Sequence, residues 1–133
     1  MKKIGCILLI DDNPADYFLH RKIIETSELC SHTIDFLDAK AALDYLFRPE
    51  ATDYMEPDII FLDINMPGMD GWQFIDRYQK LNDGLRKSMI VVMLSTSLNP
   101  DDHLRAQENY HIRTFLNKPL TKESLNNIIE ENF

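Results

Sequence analysis

Cysteine and glycine are both scarce in this chain of 133 residues, which holds two cysteines and four glycines. Cys6 and Cys30 do not form a Cys-x-x-Cys pair, so the sequence favours reduced, partly buried thiols over a structural disulfide. With so few glycines there is no glycine-rich loop that could cradle phosphates. The usual fingerprint of a nucleotide-binding protein is therefore excluded.

Long apolar segments are missing as well, because no stretch approaches the roughly 20 apolar residues that a membrane-spanning helix needs. The basic start Met1–Lys3 and the apolar run Ile7–Ile10 superficially imitate a secretory signal. The run is too short, however, and Asp11-Asp12 ends it where small residues should follow. There is no Asn-x-Ser/Thr sequon either. We expect a cytoplasmic protein.

Basic residues are the minority among the charged ones: 14 Lys and Arg stand against 22 Asp and Glu, for a net charge of -8. An acidic surface without a basic stripe repels phosphate backbones and anionic lipids, so nucleic acid and membranes are poor candidate partners. The 44% of hydrophobic and 27% of charged residues are typical of a globular protein. We expect residues 1–133 to form one domain, with nothing left over for a second.

What the sequence does contain is a regular alternation of short apolar runs with amphipathic helical segments. Runs of four to six residues suit buried strands better than helices. The runs are Cys6–Ile10, Thr33–Leu37, Ile59–Leu62, Met89–Leu94 and Arg113–Leu116.

Helix start signals lie between these runs. Asn13-Pro14 and Asn99-Pro100 each offer an N-cap followed by proline at the first helical position, and Thr121 opens the last helix. Five strand–helix repeats predict an α/β fold, a doubly wound five-stranded parallel sheet with helices on both faces. The long connection Arg48–Pro57 contains two prolines and mixed charge, which favours a mobile surface loop and leaves a partner contact open.

Polar residues at the predicted strand ends are the candidates for a site, because ligands of such sheets bind beyond the carboxyl ends of the strands. Four of the five strands deliver them to one edge: Asp11-Asp12, Asp63, Ser95-Thr96-Ser97 and Asn117-Lys118-Pro119. The second strand lies at the margin of the sheet, so we expect Asp38 to cap a helix.

Three carboxylates forced together would repel one another unless a cation compensates their charge. Oxygen ligands without nearby thiolate or imidazole favour Mg²⁺ or a similar hard cation. Lys118 and Ser95 could hold phosphoryl oxygens, which leaves Asp63 as a nucleophile for phosphoryl transfer. Each piece alone has an ordinary structural alternative: a helix cap, a turn, a surface lysine or a loop. Their joint placement favours the site.

A family resemblance rests on the same residues. Asp63–Gly71, with the sequence Asp-Ile-Asn-Met-Pro-Gly-Met-Asp-Gly, resembles the phosphoacceptor segment of bacterial response-regulator receiver domains, including the single-domain chemotaxis type. Asp11-Asp12, Ser95 and Lys118-Pro119 match the remaining positions of the family. The resemblance covers essentially the whole chain and implies a flavodoxin-like fold with strand order 2-1-3-4-5 and no output domain.

The resemblance also implies residue roles around a metal ion. Asp63 would be the phosphorylated aspartate, Asp12 the acid that binds Mg²⁺ directly, and Asp11 the acid that binds it through water. Asn65 would offer its backbone carbonyl to the metal. Lys118 would pair with the phosphoryl group and precede a cis proline.

Three further positions are assigned on the resemblance to the switch itself. Ser95 resembles the hydroxyl that moves toward the phosphoryl group, and it replaces the more common Thr. Phe115 falls where the family places a rotating aromatic side chain, although an ordinary core role remains the alternative. Thr96 stands where a small residue is common, so its bulk is a hypothesis for slower loss of phosphate. The family's glycine before the fifth strand is missing from Glu108–Ile112.

Three other kinds of site fit the sequence less well: a histidine site, a calcium loop and a phosphatase. The four histidines share no spacing and are expected at the surface or half-buried rather than as ligands. A calcium loop starting at Asp63 fails because Phe74 occupies its twelfth position. An aspartate phosphatase needs a second acid where Asn65 stands, so we expect no enzyme activity beyond self-phosphorylation and slow self-dephosphorylation. A receiver that binds partners without being phosphorylated stays open.

The expected partners follow from the resemblance. A sensor histidine kinase or a phosphotransfer protein would supply the phosphoryl group, and an unidentified protein target would respond to it. Whether the chain ends a pathway or relays phosphate onward stays open. A homodimer through the fourth helix, fifth strand and fifth helix is a further alternative.

Overall fold

Strands and helices alternate strictly in the computed structural model, which describes residues 3–48, 52, 54–80, 90–96, 100–108 and 112–133. The strands are β1 (Ile4–Ile10), β2 (Cys30–Phe36), β3 (Ile59–Asp63), β4 (Ile90–Ser95) and β5 (Ile112–Asn117). The helices are α1 (Pro14–Ser27), α2 (Ala39–Leu46), α3 (Gly71–Lys80), α4 (Pro100–Glu108) and α5 (Lys122–Asn132). None of these described helices has the length and apolar character needed to cross a bilayer.

The five strands form one parallel sheet in the order β2-β1-β3-β4-β5. The predicted fold class and strand order are confirmed. Because the chain runs from β1 outward to β2 and then back to β3 on the other side, the order reverses at β1. The crevice beyond the carboxyl ends of β1 and β3 is the usual binding place in such sheets.

Alternate residues of the central strands point to opposite faces of the sheet, and each face has its own apolar core. Leu8, Ile60 and Met93 pack on the side covered by α2, α3 and α4. Leu9, Phe61 and Val92 pack on the side covered by α1 and α5. All six side chains are completely buried. This double coverage explains why the central strands appear in the sequence as continuous apolar runs.

The helix starts follow the predicted signals where the structure describes them. The Asn13 side chain accepts hydrogen bonds from the backbone N–H of Ala15 and of Asp16, at 3.0 and 3.2 Å. Thr121 and Ser124 form a reciprocal capping box at α5. Asp38 caps α2 as expected. The predicted N-cap Asn99 and its neighbour Ser97 lie outside the described residues.

The boundaries of edge strand β2 were predicted less well than those of the other strands, although β1 also begins two residues before the predicted Cys6. β2 begins at Cys30 and ends at Phe36, so the predicted range Thr33–Leu37 was wrong at both ends. Leu37 is 51% exposed and lies outside the strand. An edge strand needs fewer apolar residues, because part of its surface faces water, so an apolar run marks it poorly. β5 likewise extends one residue beyond each end of the predicted Arg113–Leu116.

The connection Arg48–Pro57 falls partly outside the described residues, but its last part packs against α2. The Tyr45 hydroxyl donates a hydrogen bond to the Met55 carbonyl oxygen and accepts one from the Met55 N–H, at 2.9 and 2.6 Å. The rings of Tyr45 and Tyr54 stack with centroids 5.0 Å apart. These contacts hold the chain as it enters β3.

Cys6 and Cys30 are both free thiols, in agreement with the prediction. Burial, followed by the nearby Cys30 thiol and the Asp58 charge, raises the pKa of Cys6 to about 12. Burial also raises the pKa of Cys30. Neither thiol is therefore activated as a nucleophile.

Candidate functional site

Four adjacent strands bring the predicted site residues together at their carboxyl ends. Asp63 and Ser95 are the last residues of β3 and β4, and Asp11 follows β1 directly. Lys118 follows β5, and its backbone N–H donates to the Ser95 carbonyl oxygen at 2.9 Å. The peptide bond between Lys118 and Pro119 is cis, as the resemblance implied.

Three carboxylates form the centre of this edge. Asp11, Asp12 and Asp63 each place one carboxylate oxygen within 4.8 Å of the others. Asp11 is completely buried and Asp63 is 4% exposed, whereas Asp12 is half-buried. Oxygen donors at this density are the ligand set of a hard divalent cation such as Mg²⁺, and the partial exposure of Asp12 leaves a route for it.

Backbone groups hold two of these carboxylates in place. Oδ1 of Asp11 accepts a hydrogen bond from the Asn13 N–H at 3.0 Å, and Oδ1 of Asp63 accepts one from the Asn65 N–H at 3.3 Å. Each carboxylate therefore bonds to the backbone two residues further along, where the chain leaves its strand. Two loops preset the orientation of both acids.

Lys118 is the positive group of the site. Only 7% of its side chain is exposed, and its Nζ lies 2.9 Å from Oδ2 of Asp16, 3.1 Å from Oδ2 of Asp11 and 3.3 Å from Oδ1 of Asp63. Burial lowers the pKa of Lys118, but the hydrogen bond to Asp16 and the charges of Asp63 and Asp11 outweigh it and raise the pKa. The ammonium form is thus retained.

The two buried acids differ in their affinity for a proton. Burial and then the negative charge of Asp11 raise the pKa of Asp63 to about 7, although Lys118 opposes the shift. Burial also acts on Asp11, yet the interactions with His20, the Asn13 N–H and Lys118 together lower its pKa. Asp11 therefore holds its charge more firmly than Asp63 does before any cation is bound.

The sequence did not identify two residues of α1 that belong to this site. His20 is completely buried, with Nδ1 3.6 Å from Oδ2 of Asp11, so the expectation of a surface or half-buried histidine was wrong for it. Asp16, an acid in the first turn of α1, contacts Lys118. The signal was present: the N-cap Asn13 fixes the phase of α1, and residues four apart share a helix face.

Ser95 and Thr96 lie side by side at the end of β4 but in different surroundings. Ser95 is completely buried, whereas Thr96 is exposed. Both residues lie at the carboxyl end of β4, Ser95 inside the fold and Thr96 where solvent meets that edge.

Phe115 is half-buried in β5 and packs against the core beneath α4. Its ring centroid lies 4.0 Å from that of His103 on α4, with an angle of 42° between the planes. A side chain that is only partly buried and contacts α4 is compatible with both the rotating and the core interpretation. The stretch Glu108–Ile112 lacks the glycine that the family has before β5, and its residues 109–111 lie outside the described part of the chain.

The segment after β3 is packed tightly onto the site. Gly71 begins α3, and its N–H donates to the Ile64 carbonyl oxygen at 2.8 Å. A Cβ added to Gly71 would lie 2.7 Å from the Asp63 carbonyl oxygen and 2.9 Å from Cα of Ile64, closer than real contacts allow. The glycine of the Asp63–Gly71 segment therefore permits α3 to start directly against the backbone of Asp63.

Comparisons with known proteins show the family of the chain. The sequence model of the response regulator receiver domain matches residues 7–130. Two relatives are the probable methanogenesis regulatory protein FilR2 of Methanothrix harundinacea and the response regulator Rcp1 of Synechocystis sp. The first is 35% identical over 125 residues, covering 94% of this chain and 79% of the relative. The second is 30% identical over 125 residues, covering 93% and 83%.

Solved structures give the same result at the level of the fold. A two-component response regulator from Cytophaga hutchinsonii superposes with a TM-score of 0.88 at 34% identity, covering 98% of this chain and 97% of that one. The Mn²⁺-bound form of Rcp1 superposes with a TM-score of 0.72 at 30% identity, covering 95% and 89%. By family match, relatives and fold together, this chain belongs to the response-regulator receiver domains of two-component signalling.

Proposed function

We propose that Asp63 is the phosphoacceptor of this receiver domain and that a histidine kinase or a phosphotransfer protein supplies the phosphoryl group. One observation carries the proposal: three carboxylates converge within 4.8 Å, and the buried ammonium of Lys118 lies 3.3 Å from Oδ1 of Asp63. A nucleophilic carboxylate, a cation site and a fixed positive charge are the parts that phosphoryl transfer requires.

The reaction is an exchange of one bond to phosphorus for another. A carboxylate oxygen of Asp63 attacks the phosphorus of a phosphohistidine, an O–P bond forms, and the P–N bond breaks with its electron pair going to the imidazole nitrogen. Loss of phosphate follows when water attacks the same phosphorus, which releases inorganic phosphate and restores the carboxylate. The first step needs only the phosphohistidine donor and the second step only water, and neither step is an oxidation or a reduction.

Asp11, Asp12, Asp63 and the backbone carbonyl of Asn65 would hold Mg²⁺, in keeping with the carboxylate cluster. Bound there, the ion would neutralise charge on the transferring phosphoryl group. Support also comes from Rcp1, whose solved structure is a Mn²⁺-bound form. Lys118 would orient the phosphoryl oxygens, and the buried Ser95 hydroxyl would donate to them.

The phosphoryl group adds about -1.5 to -2 charges at neutral pH, enough to draw Ser95 and Lys118 toward it. Ser95 ends β4, α4 is the next helix along the chain, and His103 of α4 contacts Phe115, so a movement of Ser95 would reach the surface that includes Phe115. In this proposal Phe115 responds as a switch, Thr96 modulates the loss of phosphate, and a protein partner detects the new surface.

Intact-protein mass spectrometry after incubation with acetyl phosphate, with and without Mg²⁺, tests the proposal. The parent should gain one phosphoryl mass only with Mg²⁺, and Asp63→Asn should gain none. Asp58→Asn, which changes an acid of the opposite end of β3, serves as the control and should keep the gain. No gain in the parent would favour the unphosphorylated binding module, and an equal gain in Asp63→Asn would reject Asp63 as the acceptor. Turnover of a phosphate ester would instead point to a phosphatase.

A further inference from the structure

Lys118 is in contact with three acids in the resting domain, and it donates a hydrogen bond to Oδ2 of Asp16. An ammonium group has three N–H donors, and the Nζ of Lys118 lies within 3.3 Å of carboxylate oxygens from Asp11, Asp16 and Asp63. The shortest of the three contacts, 2.9 Å, is the one to Asp16. A phosphoryl oxygen that bonds to Lys118 therefore competes with these acids for the ammonium.

Burial distinguishes the three acids. The side chain of Asp11 is 0% exposed and that of Asp63 is 5% exposed, whereas that of Asp16 is 34% exposed. Asp11 is also held by the Asn13 N–H, and Asp63 itself would carry the phosphoryl group. Releasing a buried carboxylate from its partner leaves an uncompensated charge, but a partly exposed one is taken up by water. Asp16 is thus the acid that can leave Lys118 with least cost.

The position of Asp16 in α1 makes this exchange local. Its backbone N–H is fixed to the Asn13 side chain at 3.2 Å, so the helix start stays in place while the carboxylate rotates. Residue 16 lies in the first turn of α1, and its side chain is partly exposed to solvent. No movement of the sheet is needed for the side chain to turn outward.

We propose that Asp16 is an exchangeable counter-ion of Lys118: it occupies the ammonium in the resting domain and is displaced by the phosphoryl group on Asp63. Asp16 is then a positioning residue that acts through Lys118. It disfavours phosphorylation of Asp63, because it competes with the phosphoryl group for the Lys118 ammonium. The proposal rests on the proposed phosphoacceptor function of Asp63.

The electrostatics of the site agree with this role. Asp16 adds a fourth carboxylate to the three of the metal cluster, and it contacts the same ammonium as Asp11 and Asp63 do. A fourth acid adjoining the place of a dianionic group opposes that group directly and also occupies its cation. Both effects raise the barrier to entry of the phosphoryl group, and only the second requires Lys118.

The experiment measures binding of the phosphoryl mimic beryllofluoride by ¹⁹F NMR, at fixed Mg²⁺, in parent and variant proteins. Asp16→Asn should bind it about twofold to fivefold more tightly at low ionic strength, as expected for loss of a partly exposed ion pair. Asp16→Glu should return toward the parent, because it restores the charge. The difference should shrink in high salt, since the pair is partly exposed. Urea unfolding would show that the fold is kept.

Asp38→Asn is the matched control. It removes the same charge from the same edge of the sheet, from an exposed residue that caps α2, and asparagine is an equally good cap. Its affinity should equal that of the parent. A gain as large as that of Asp16→Asn would overturn the proposal in favour of a general charge effect.

A double-mutant cycle isolates the contact itself. In a Lys118→Met background, Asp16→Asn should change beryllofluoride affinity by clearly less than in the parent, because only the direct repulsion by the Asp16 charge is left and the shared cation is absent. An effect of undiminished size in that background, or no effect of Asp16→Asn on the parent, would overturn the exchange. Failure of the parent to bind beryllofluoride at all is a different outcome, because it would reject the phosphoacceptor function before Asp16 is considered.

Discussion

At the scale of single residues, the two buried acids of the site differ in their affinity for a proton. Asp63 has a pKa of about 7 because it is buried beside the negative charge of Asp11, while the interactions of Asp11 with His20, Asn13 and Lys118 keep its own pKa low. The metal-free domain therefore carries a group that titrates near neutral pH. Binding of a cation requires its charged form.

This asymmetry predicts a pH dependence of stability in the absence of metal. Between its unfolded value of 3.8 and its folded value of about 7, Asp63 binds a proton in the folded chain that the unfolded chain has lost. The free energy of unfolding should therefore fall as pH rises through that window, and level off above about pH 8. Urea unfolding in EDTA at several pH values measures this, and Asp63→Asn should flatten the dependence.

Addition of Mg²⁺ supplies the second half of that test. The ion should restore stability above about pH 7, and its apparent affinity should rise between about pH 6 and about pH 8, because binding releases the Asp63 proton. Lower affinity at the higher pH would contradict the assignment of Asp63 as a ligand. The lowered pKa of Asp11 makes stability fall as pH decreases, and it does so only in acid below the ordinary pKa of an aspartate. It therefore does not affect stability between about pH 6 and about pH 8.

Thr96 gives a kinetic prediction at the same scale. It is exposed directly after the buried Ser95, at the edge where water would approach a phosphoryl group on Asp63. Thr96→Ala removes that bulk and should speed the loss of phosphate roughly twofold to fivefold, which corresponds to about 0.5 to 1 kcal/mol of barrier. The decay of phosphoprotein mass after removal of acetyl phosphate measures the rate. Thr96→Val, of nearly the same size, should decay like the parent, and an unchanged rate in Thr96→Ala would remove the hypothesis.

At the scale of elements, the sequence predicted the central strands and the site residues for one physical reason. Strands covered on both faces must be continuously apolar, so the polar residues Asp63 and Ser95 mark their ends clearly. Edge strand β2 lacked that signal and was placed wrongly. His20 and Asp16 were missed because the N-cap Asn13 sets the phase of α1 but does not show which face meets the site. The partner of Asp16, Lys118, is also 102 residues away in sequence.

At the junction of β3 and α3, the backbone of Asp63 leaves no room for a side chain at Gly71. A Cβ at Gly71 would lie 2.7 Å from the Asp63 carbonyl oxygen, and the obstacle is backbone, which cannot rotate away. Gly71→Ala should destabilise the domain by about 1 to 3 kcal/mol, as overpacking usually does, and should weaken Mg²⁺ binding because Asp63 is displaced. Urea unfolding and a Mg²⁺ titration measure the two effects.

Gly5→Ala is the matched control for that substitution. Its Cβ would meet only the Asp58 side chain, at 3.3 Å, far from the metal cluster. We expect a smaller loss of stability and unchanged Mg²⁺ affinity. Equal losses of both quantities in the two variants would show that the close approach at Gly71 does not position the site.

At the scale of the whole molecule, the site is connected to the far side of the domain through α3 and α4. Ser95 ends β4 at the site, α4 follows in the chain, and Arg105 of α4 places its guanidinium carbon 4.5 Å from the ring centre of Trp72 on α3. Trp72 is the sole tryptophan of the chain and is 9% exposed. One aromatic ring thus contacts the helix that the proposed switch would move.

The fluorescence of Trp72 should therefore change when the domain is activated. If a phosphoryl mimic on Asp63 draws Ser95 inward, α4 shifts and the Arg105–Trp72 contact changes, so beryllofluoride with Mg²⁺ should alter the tryptophan fluorescence of the parent. Arg105→Gln should reduce this response and lower stability by about 0.5 to 1 kcal/mol, the usual worth of an exposed cation–π contact. Arg77→Gln removes the same charge from the exposed face of α3 and should keep the full response. An identical response in Arg105→Gln would mean that α4 does not transmit the signal through this contact, because a helix that moves must disturb the ring it touches.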